Sequence, residues 1–296
     1  MTRMPTTTAV AAALLAAGVL PAHAEEVTLI TSDDATLYDD FAGDSANGAG
    51  RGFFVGRNNS GSRTRSVIRF DIASAVPAGA TIDDVTLTLY CSRTISPATP
   101  VSLHRVTTGW SEGPAAPQGN GGAGTRALEG DVTWFYTSFT PPGPGSPEWN
   151  NQGGDFVPEI SGSTVVEGEA RFYTWSSEGI TADVQAWADG THDNFGWLVM
   201  GVETQGIGRT SKRFASKEET LQESWWPRLT ISYTTGGGCT VADVAEPFGV
   251  LDLADVQAFV AGFLAQDQIA DVTAPAGVWD LADVLAFVAS YNAGCP

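Results

Sequence analysis

The sequence predicts a mainly β protein, an antiparallel jelly-roll-like β-sandwich with one short helix, followed by a small all-α domain. Nine stretches rich in Val, Thr and aromatic residues alternate with glycine, proline and Asn/Asp clusters, which is the pattern of strands joined by turns. The glycine run at 236–238 ends this pattern. Beyond it, apolar residues recur with the period of a helix.

The first 24 residues are typical of a secretory signal peptide. Arg3 precedes an apolar run that ends in the small-residue motif Ala22-His23-Ala24, so cleavage is expected before Glu25. No later stretch approaches 18 apolar residues, which argues against membrane insertion. The expected organisation is a signal peptide (1–24), a β-sandwich domain (25–235), a glycine linker (236–238) and a helical domain (239–296). We expect the protein to be secreted, either extracellular or attached to the cell surface.

The charge of the chain narrows the choice of partners. It has 15 basic and 34 acidic side chains, a formal net charge of −19, and loss of Arg3 with the signal would make this −20. Nucleic acid is therefore not an expected partner.

The strand-like stretches define the β domain. In order they are VTLIT, GFFVGR, SVIRFDI, DDVTLTLYC, VSLHRVT, DVTWFYTSF, RFYTWS, FGWLVMGV and RLTISY. The segment ITADVQAWADG differs, because Val184 and Trp187 lie three apart and Gly190 follows as a C-cap, which predicts a short helix. Cys91 falls on the apolar side of its strand, which predicts a buried free thiol.

The end of the chain repeats one motif. FGVLDLADVQAFVAGF begins at Phe248, and AGVWDLADVLAFVASY begins 28 residues later at Ala276. Asp252 and Asp280 are expected to be helix N-caps, with Asp255 and Asp283 in the first turns. One apolar stripe per helix is predicted, so that the two helices pack together. The stripes comprise Leu253, Val256, Val260 and Phe263, then Leu281, Val284, Val288 and Tyr291.

The loops before these helices share part of a calcium-loop pattern. The candidate ligands are Asp243, Asp252, Asp255, Asp271, Asp280 and Asp283. Gly249 and Gly277 stand where a calcium loop turns sharply. Each loop is one residue too long and lacks two of the usual carboxylates, so the alternative is that these acids only cap helices. Cys239 and Cys295 bracket the repeat, and a disulfide between them is expected.

The duplicated GxLDLADVxAFVA motif, the flanking cysteines and the terminal Gly294-Cys295-Pro296 resemble the GC-type dockerin-like domains of secreted bacterial proteins. The resemblance covers residues 239–296. It implies docking onto a cohesin-like or other surface receptor, possible calcium in the loops, and docking contacts at Leu253, Ala254, Leu281 and Ala282. These positions are apolar here, whereas the family often has Ser or Thr.

The β domain shows few signs of catalysis. The sequence has no HExxH, GxSxG or phosphate-loop motif, and we expect no enzyme activity. The alternative is a polysaccharide hydrolase or lyase that uses a carboxylate pair. Its candidate acids are Asp131, Glu148, Asp155, Glu203 and Glu218.

Aromatic and basic residues indicate a carbohydrate site instead. The candidates are the rings of Trp110, Trp134 and Trp149, the amides of Asn150 and Asn151, and the alternating Arg63, Arg65 and Arg69. Exposed rings stack on sugars, and arginines bind carboxylates in pairs of hydrogen bonds. The alternatives are that the rings pack internally and that the arginines neutralise nearby acids such as Asp71, Glu218 and Glu219.

The order of motifs in residues 27–234 resembles the DNRLRE-domain family of bacterial secreted proteins. The motifs include SVIRFDI, VSLHRVTTGWSEG, ADVQAWADG, NFGWLVMG and KRFASKEE. The family phrase close to RFDSRE is RFASKE here, with departures at Ala215 and Lys217. The resemblance implies a β-sandwich at the cell surface or outside the cell. Some relatives resemble carbohydrate-binding modules, including modules for acidic algal polysaccharide.

The sequence therefore predicts a secreted, non-catalytic protein that binds carbohydrate or the cell surface and is attached to a scaffold or envelope through its tail. A purely structural surface component, with no ligand, is a further alternative.

Overall fold

The computed structural model describes residues 23–40, 42–77, 80–204, 209–235, 240–273 and 277–295. The chain divides into two compact units, His23–Thr235 and a second formed from residue 236 onward. The first unit is mainly β, as predicted, and is built on a large curled antiparallel sheet.

The strands of the described residues are β1 (His23–Ile30), β2 (Asp33–Tyr38), β3 (Ser45–Ala46), β4 (Gly52–Arg57), β5 (Arg63–Arg69), β6 (Thr81–Thr94), β7 (Thr99–Arg105), β8 (Thr125–Arg126), β9 (Gly162–Val166), β10 (Arg171–Trp175), β11 (Trp197–Met200), β12 (Lys212–Ala215) and β13 (Arg228–Thr235). The main sheet has the order β1-β13-β6-β12-β4-β5-β11-β7-β9, with β10 also paired to β6 and β2 to β5. Strands β3 and β8 form a separate pair.

Strand β6 organises one half of this sheet. Its side chains alternate, so that Leu87 and Leu89 are buried in the core while Thr88 and Tyr90 lie on the other side, partly exposed. We call this second side the outer face. Leu87 pairs with both β13 and β10, so these strands flank β6 on opposite edges. Cys91 is buried and free, which confirms the prediction.

The predicted helix is present as α1 (Glu178–Ala188). The Ser177 hydroxyl accepts a hydrogen bond from the amide of Ile180 (3.2 Å) and caps the N-terminus. Val184 and Trp187 are buried, and Gly190 follows with a positive φ of 65°. The indole of Trp187 meets that of Trp197 edge to face, so the helix closes part of the core.

The sequence prediction was wrong for one strand and missed others. The stretch DVTWFYTSF (131–139) forms turns, because the Thr133 hydroxyl accepts hydrogen bonds from the amides of Phe135 and Tyr136 and bends the chain. Five of the described strands were missed, namely β2, β9, β12 and the two-residue β3 and β8. All five are short.

The second unit contains α2 (Leu253–Ala265), a 3₁₀ turn (Gln268–Ala270) and α3 (Leu281–Ala293). Asp252 and Asp280 cap the two α-helices, as predicted, and each forms a capping box with the aspartate three residues later.

The predicted apolar stripes of these helices were correct for half of their residues. Four stripe residues pack against the core of the second unit, namely Val256, Phe263, Val284 and Tyr291. The buried residues of the helices are Phe259 and Phe287, which the stripes left out, whereas Leu253 and Leu281 are 66% and 68% exposed. Val260 and Val288 are also exposed. Each helix therefore has two apolar faces, and only one of them is packed.

Among the helices of the described residues, none combines the length and apolar character needed to cross a bilayer.

Candidate functional site

The three tryptophans predicted to stack on sugars are buried, so the prediction that they form an exposed platform is wrong. Trp110, Trp134 and Trp149 belong to one core cluster. The indole N–H of Trp110 donates to the Phe195 carbonyl (2.8 Å), and that of Trp149 to the Thr133 carbonyl (3.0 Å). These rings stabilise the loop-rich part of the first unit.

The arginines of β5 cover this cluster rather than offering a binding face. The guanidinium groups of Arg63 and Arg65 both lie 4.9 Å from the centre of the Trp134 ring, and that of Arg69 lies 5.1 Å from the Trp110 ring. Such cation–π contacts are favourable when they are partly desolvated.

Each of these arginines also has an acidic partner. Arg65 makes two hydrogen bonds to Glu203 (2.7 and 2.9 Å). Arg63 pairs with Asp39 and Arg69 with Asp33. Local neutralisation therefore accounts for the three arginines, but the acids involved differ from Asp71, Glu218 and Glu219, because β2 brings its own acids beside β5.

The amides predicted to bind sugar hydroxyls are also occupied. The backbone and side-chain N–H groups of Asn150 and Asn151 all donate to the carboxylate of Asp155, at 2.8 to 3.0 Å. Burial opposes ionisation of Asp155, but these hydrogen bonds outweigh it and lower its pKa. The carboxylate organises a turn, so it is not available as a catalytic acid.

A different site lies on the outer face at the end of β6. A cavity of about 310 Å³ opens there, and the described residues that line it include no acid. We call it the arginine pocket. The described lining consists of Phe54, Asn58, Asn59, Ser60, Arg93, Thr94, Ile95, Asn120, Gly122, Ala123, Ser211 and Arg213.

Strand pairing places the two arginines together. Arg213 of β12 lies opposite Arg93 of β6 in the register, and side chains directly opposite one another share a face. Arg213 donates to the Ser92 hydroxyl (2.6 Å) and to the carbonyls of Arg51 (2.9 Å) and Asn120 (3.3 Å). It lies over the Phe54 ring, 5.9 Å from the centroid.

The pocket is positive although the chain is strongly acidic. The Arg93 side chain makes no hydrogen bond or ion pair with any described residue, and Arg213 donates only to neutral groups. Burial lowers the pKa of Arg213, Glu219 opposes this effect, and Arg51 and Arg93 add to it. Two neighbouring guanidinium groups without an ion pair to a described acid are suited to bind an anion.

Of the remaining candidate catalytic acids, three lie apart from the acidic cluster described below, and the fourth, Glu218, belongs to it. The Asp131 carboxylate accepts the amides of Ala115 (2.9 Å) and Leu128 (2.6 Å), and Glu203 holds Arg65. Glu148 is exposed in an isolated bridge. Only Glu218 lies beside other carboxylates.

Glu218, Asp34 and Glu112 form an acidic cluster whose oxygens lie within 4.8 Å of one another. The Lys217 ammonium bonds to Glu112 (2.5 Å) and to Glu218. Asp34 is 2% exposed, and burial and then the Glu218 charge raise its pKa well above the ordinary value. The Lys217 ammonium already binds two of the three carboxylates, and the third, Asp34, is buried.

The four predicted docking residues lie at the N-terminal ends of α2 and α3. Leu253 and Leu281 are among the most exposed apolar side chains of the second unit, Ala282 is exposed and Ala254 is half-buried. Further exposed apolar residues occur at equivalent positions of the repeat. They are Val250 and Val278, together with Val260 and Val288.

The oxygens of the candidate calcium loops are directed at backbone amides. Asp255 accepts three N–H groups, those of Val244, Ala245 and Asp252, at 2.8 to 2.9 Å. Asp283 accepts the equivalent three and the Thr273 hydroxyl, and these bonds outweigh its burial and lower its pKa.

The remaining four candidate ligands also accept hydrogen bonds from backbone amides. Asp252 and Asp280 accept the amides of Ala254 and Ala282. Asp243 and Asp271 accept those of Gly249 and Gly277, both at 2.5 Å. An N–H group repels a cation, and in the described part of the tail no three acids converge. Most carboxylate oxygens of the candidate loops are therefore directed at amides, although the buried Oδ1 of Asp271 makes no hydrogen bond with a described residue.

Cys295 is disulfide-bonded. Its predicted partner, Cys239, lies outside the described residues, as does the predicted glycine linker at 236–238.

No family model matches the chain, and no curated protein matches it either.

Proposed function

We propose that the chain is a secreted, non-catalytic protein that binds an acidic polysaccharide through its first unit and attaches to a scaffold or cell envelope through its second. In this proposal the first unit is a jelly-roll-like β-sandwich of the DNRLRE kind, and the second is a dockerin-like domain. The observation that supports it most directly is that Arg93 and Arg213 lie opposite each other and form no ion pair with a described residue, although the chain has a net charge of −19.

The chemistry of the arginine pocket suits a carboxylated sugar. The planar guanidinium of Arg93 has its five N–H donors unused within the described residues, and Arg213 uses three of its own. A carboxylate can therefore bind between them through paired hydrogen bonds. The side-chain amides of Asn59 and Asn120 are exposed and can pair with hydroxyls. The cavity is at the lower end of the range for small-molecule sites.

The second unit supports attachment through apolar contact. Six of its exposed apolar side chains occur at the same positions of both repeats, namely Val250/Val278, Leu253/Leu281 and Val260/Val288. Exposed apolar groups of this kind mark protein-interaction surfaces. We assign them to a cohesin-like receptor domain with a matching apolar patch.

Binding to matched polysaccharides tests the first half of the proposal. Polygalacturonate and its fully methyl-esterified form share one backbone and differ in free carboxylates. We expect affinity electrophoresis to show retardation by polygalacturonate alone, lost in Arg93→Gln and Arg213→Gln and weakened by salt. Arg126→Gln, an exposed arginine elsewhere, is the control. Equal retardation by both forms would contradict the carboxylate assignment, and no retardation would favour a purely structural component.

Receptor binding tests the second half. The full chain should bind the envelope or secreted scaffold of the producing cell, and Leu253→Ser with Leu281→Ser should abolish this. Binding that survives both substitutions would refute the assigned surface.

A hydrolase or lyase is the second candidate function, because the acidic cluster holds three carboxylates and raises the pKa of Asp34. Such pairs serve in glycoside cleavage. New reducing ends that disappear in Glu218→Gln would establish it. We favour the non-catalytic function because the Lys217 ammonium already binds Glu112 and Glu218.

A further inference from the structure

Three aromatic residues gather on the outer face of β6, beside the arginine pocket. Phe172 of β10 is paired with Tyr90 of β6 in the strand register, and their rings meet edge to face with centroids 4.9 Å apart. The Trp225 indole stacks on Tyr90, with centroids 4.1 Å apart and planes 15° apart. We call these three residues the aromatic cluster.

The cluster is held in place by its surroundings. Trp225 belongs to a short 3₁₀ turn, Glu223–Trp225, that lies beside the start of β13. The Arg228 guanidinium donates to the carbonyls of Ser224 (2.6 Å) and Glu223 (3.4 Å). Arg228 is paired with Thr88, two residues from Tyr90 on the same face. The indole is therefore positioned before any ligand arrives, which lowers the cost of binding.

The polar atoms of this cluster differ from those of the buried rings. The N–H groups of Trp110, Trp149 and Trp175 each donate to a backbone carbonyl. In contrast, Trp225 Nε1 and the Tyr90 hydroxyl make no hydrogen bond with any described residue, and neither atom is sealed from solvent. Phe172 is 45% exposed. Rings with an open apolar face and free donors suit a sugar, whose ring has an apolar face and a hydroxyl rim.

The cluster and the arginine pocket lie along one strand and on one face. Ser92 follows Tyr90 on the outer face of β6, and its hydroxyl accepts the hydrogen bond from Arg213. A register shift between β12 and β6 interrupts the alternation at this point, so that the exposed Arg93 also lies on the outer face, opposite Arg213. Tyr90 and Arg93 are three residues apart, roughly 10 Å along an extended strand. An extended polysaccharide chain can therefore contact both places at once.

We propose that the aromatic cluster is a second subsite of the polysaccharide-binding surface, where a sugar ring stacks on Trp225 and Phe172 while a carboxylate of a neighbouring sugar binds Arg93 and Arg213. This inference rests on the proposed function, because the arginine pocket anchors the chain. It adds that recognition requires several consecutive sugars rather than a single charged one. The ligand is thus an acidic polymer rather than a free sugar acid or an inorganic anion.

Oligogalacturonates of two and six units separate the two subsites. For the parent protein, calorimetry should give tighter binding of the hexamer than of the dimer. Trp225→Ala should weaken hexamer binding about five- to tenfold, by analogy with other aromatic contacts, and leave dimer binding unchanged. Arg213→Gln should weaken both. Leu221→Ala is the matched control, since this side chain is 71% exposed and lies four residues from Trp225.

The outcomes distinguish this inference from the proposed function. Hexamer binding by Trp225→Ala as tight as that of the parent would overturn the second subsite and leave the arginine pocket intact. Equal affinities for dimer and hexamer, or for galacturonate and sulfate, would also overturn it. If the parent protein bound neither oligogalacturonate, both this inference and the proposed function would fail. Quenching of tryptophan fluorescence by the hexamer but not by the dimer, measured in the unaltered protein, provides a test independent of the folding of the variants.

Discussion

Phe259 and Phe287 are the same residue of the two repeats, and their rings stack with centroids 4.1 Å apart and planes 18° apart. Both side chains are buried, while most apolar neighbours in this core are only partly buried. The core of the second unit is therefore centred on one pair of equivalent residues.

Phe287→Ala should destabilise the second unit by about 3–5 kcal/mol, the usual cost of removing a buried phenylalanine. Hydrogen exchange on the full chain should show loss of protection in both α2 and α3, because the stack joins them. Leu285→Ala on the same helix is the control, since Leu285 is exposed and its truncation should change stability by less than about 0.5 kcal/mol. Unchanged protection in Phe287→Ala would show that the stack does not hold the unit together.

Calcium should leave the second unit unaffected. Both oxygens of Asp255 and of Asp283 already accept loop amides, so an ion at these carboxylates would have to break those hydrogen bonds. Unfolding of the chain should be the same in millimolar calcium and in EDTA. A calcium-dependent rise in stability would instead support the loops as metal sites.

Asp255→Asn should destabilise the second unit by roughly 1–3 kcal/mol, because the new amide N–H₂ group faces a backbone donor and leaves it unsatisfied. Urea unfolding of the full chain, followed by hydrogen exchange in α2, measures this. Asp267→Asn, whose carboxylate accepts only one amide outside the two loops, should have little effect. Equal losses in both variants would mean that the loop hydrogen bonds are not the cause.

Asp34→Asn should flatten the pH dependence of stability in the first unit. Burial raises the pKa of folded Asp34, so the folded state holds this proton more tightly than the unfolded chain. Its contribution to stability is present at pH values below the unfolded pKa and is lost as the pH rises through the folded pKa.

The variant should therefore gain stability relative to the parent at pH 7 but not at pH 4, and it keeps an acceptor for the Lys217 amide. Glu112, whose pKa is also raised by burial, leaves a smaller dependence of the same sign. A parent whose stability rises steadily from pH 4 to pH 7, unchanged in the variant, would contradict this account.

Arg65→Met should cost about 3 kcal/mol, because it leaves Glu203 without its cation in a largely desolvated site. Combining it with Glu203→Leu should recover much of the loss, since an apolar pair of similar volume replaces two charges. Arg171→Met is the matched control. Its ion pair with Glu167 is about half exposed, so removing it should cost much less. Similar losses at Arg65 and Arg171 would contradict the difference in burial.

Local patterns predicted much of the fold. The helix α1, the caps at Asp252 and Asp280 and the buried thiol of Cys91 all follow from spacing and from single side chains. The register of α2 could not be predicted in this way, because apolar residues surround most of the helix. Only the partner helix decides which face is buried.

The arginine pocket could not be predicted because its residues are distant in the sequence. Arg93 and Arg213 are 120 positions apart and meet only through the pairing of β6 with β12. The exposure of the tryptophans was predicted wrongly because composition alone does not show whether a ring is covered by another side chain, as Trp134 is by Arg65, or faces water.

The pairing of β13 with β6 determines how the first unit would respond to tension. The second unit follows the C-terminal end of β13, where Thr234 pairs with Thr81 at the start of β6, whereas Arg93 lies near the other end of β6. A protein anchored by its tail and held at Arg93 would be pulled so that β13 slides lengthwise along β6. Such a pull loads the whole row of interstrand hydrogen bonds together instead of opening them one by one. Under the proposed function, the first unit would therefore resist tension most strongly along the direction of β6 and β13.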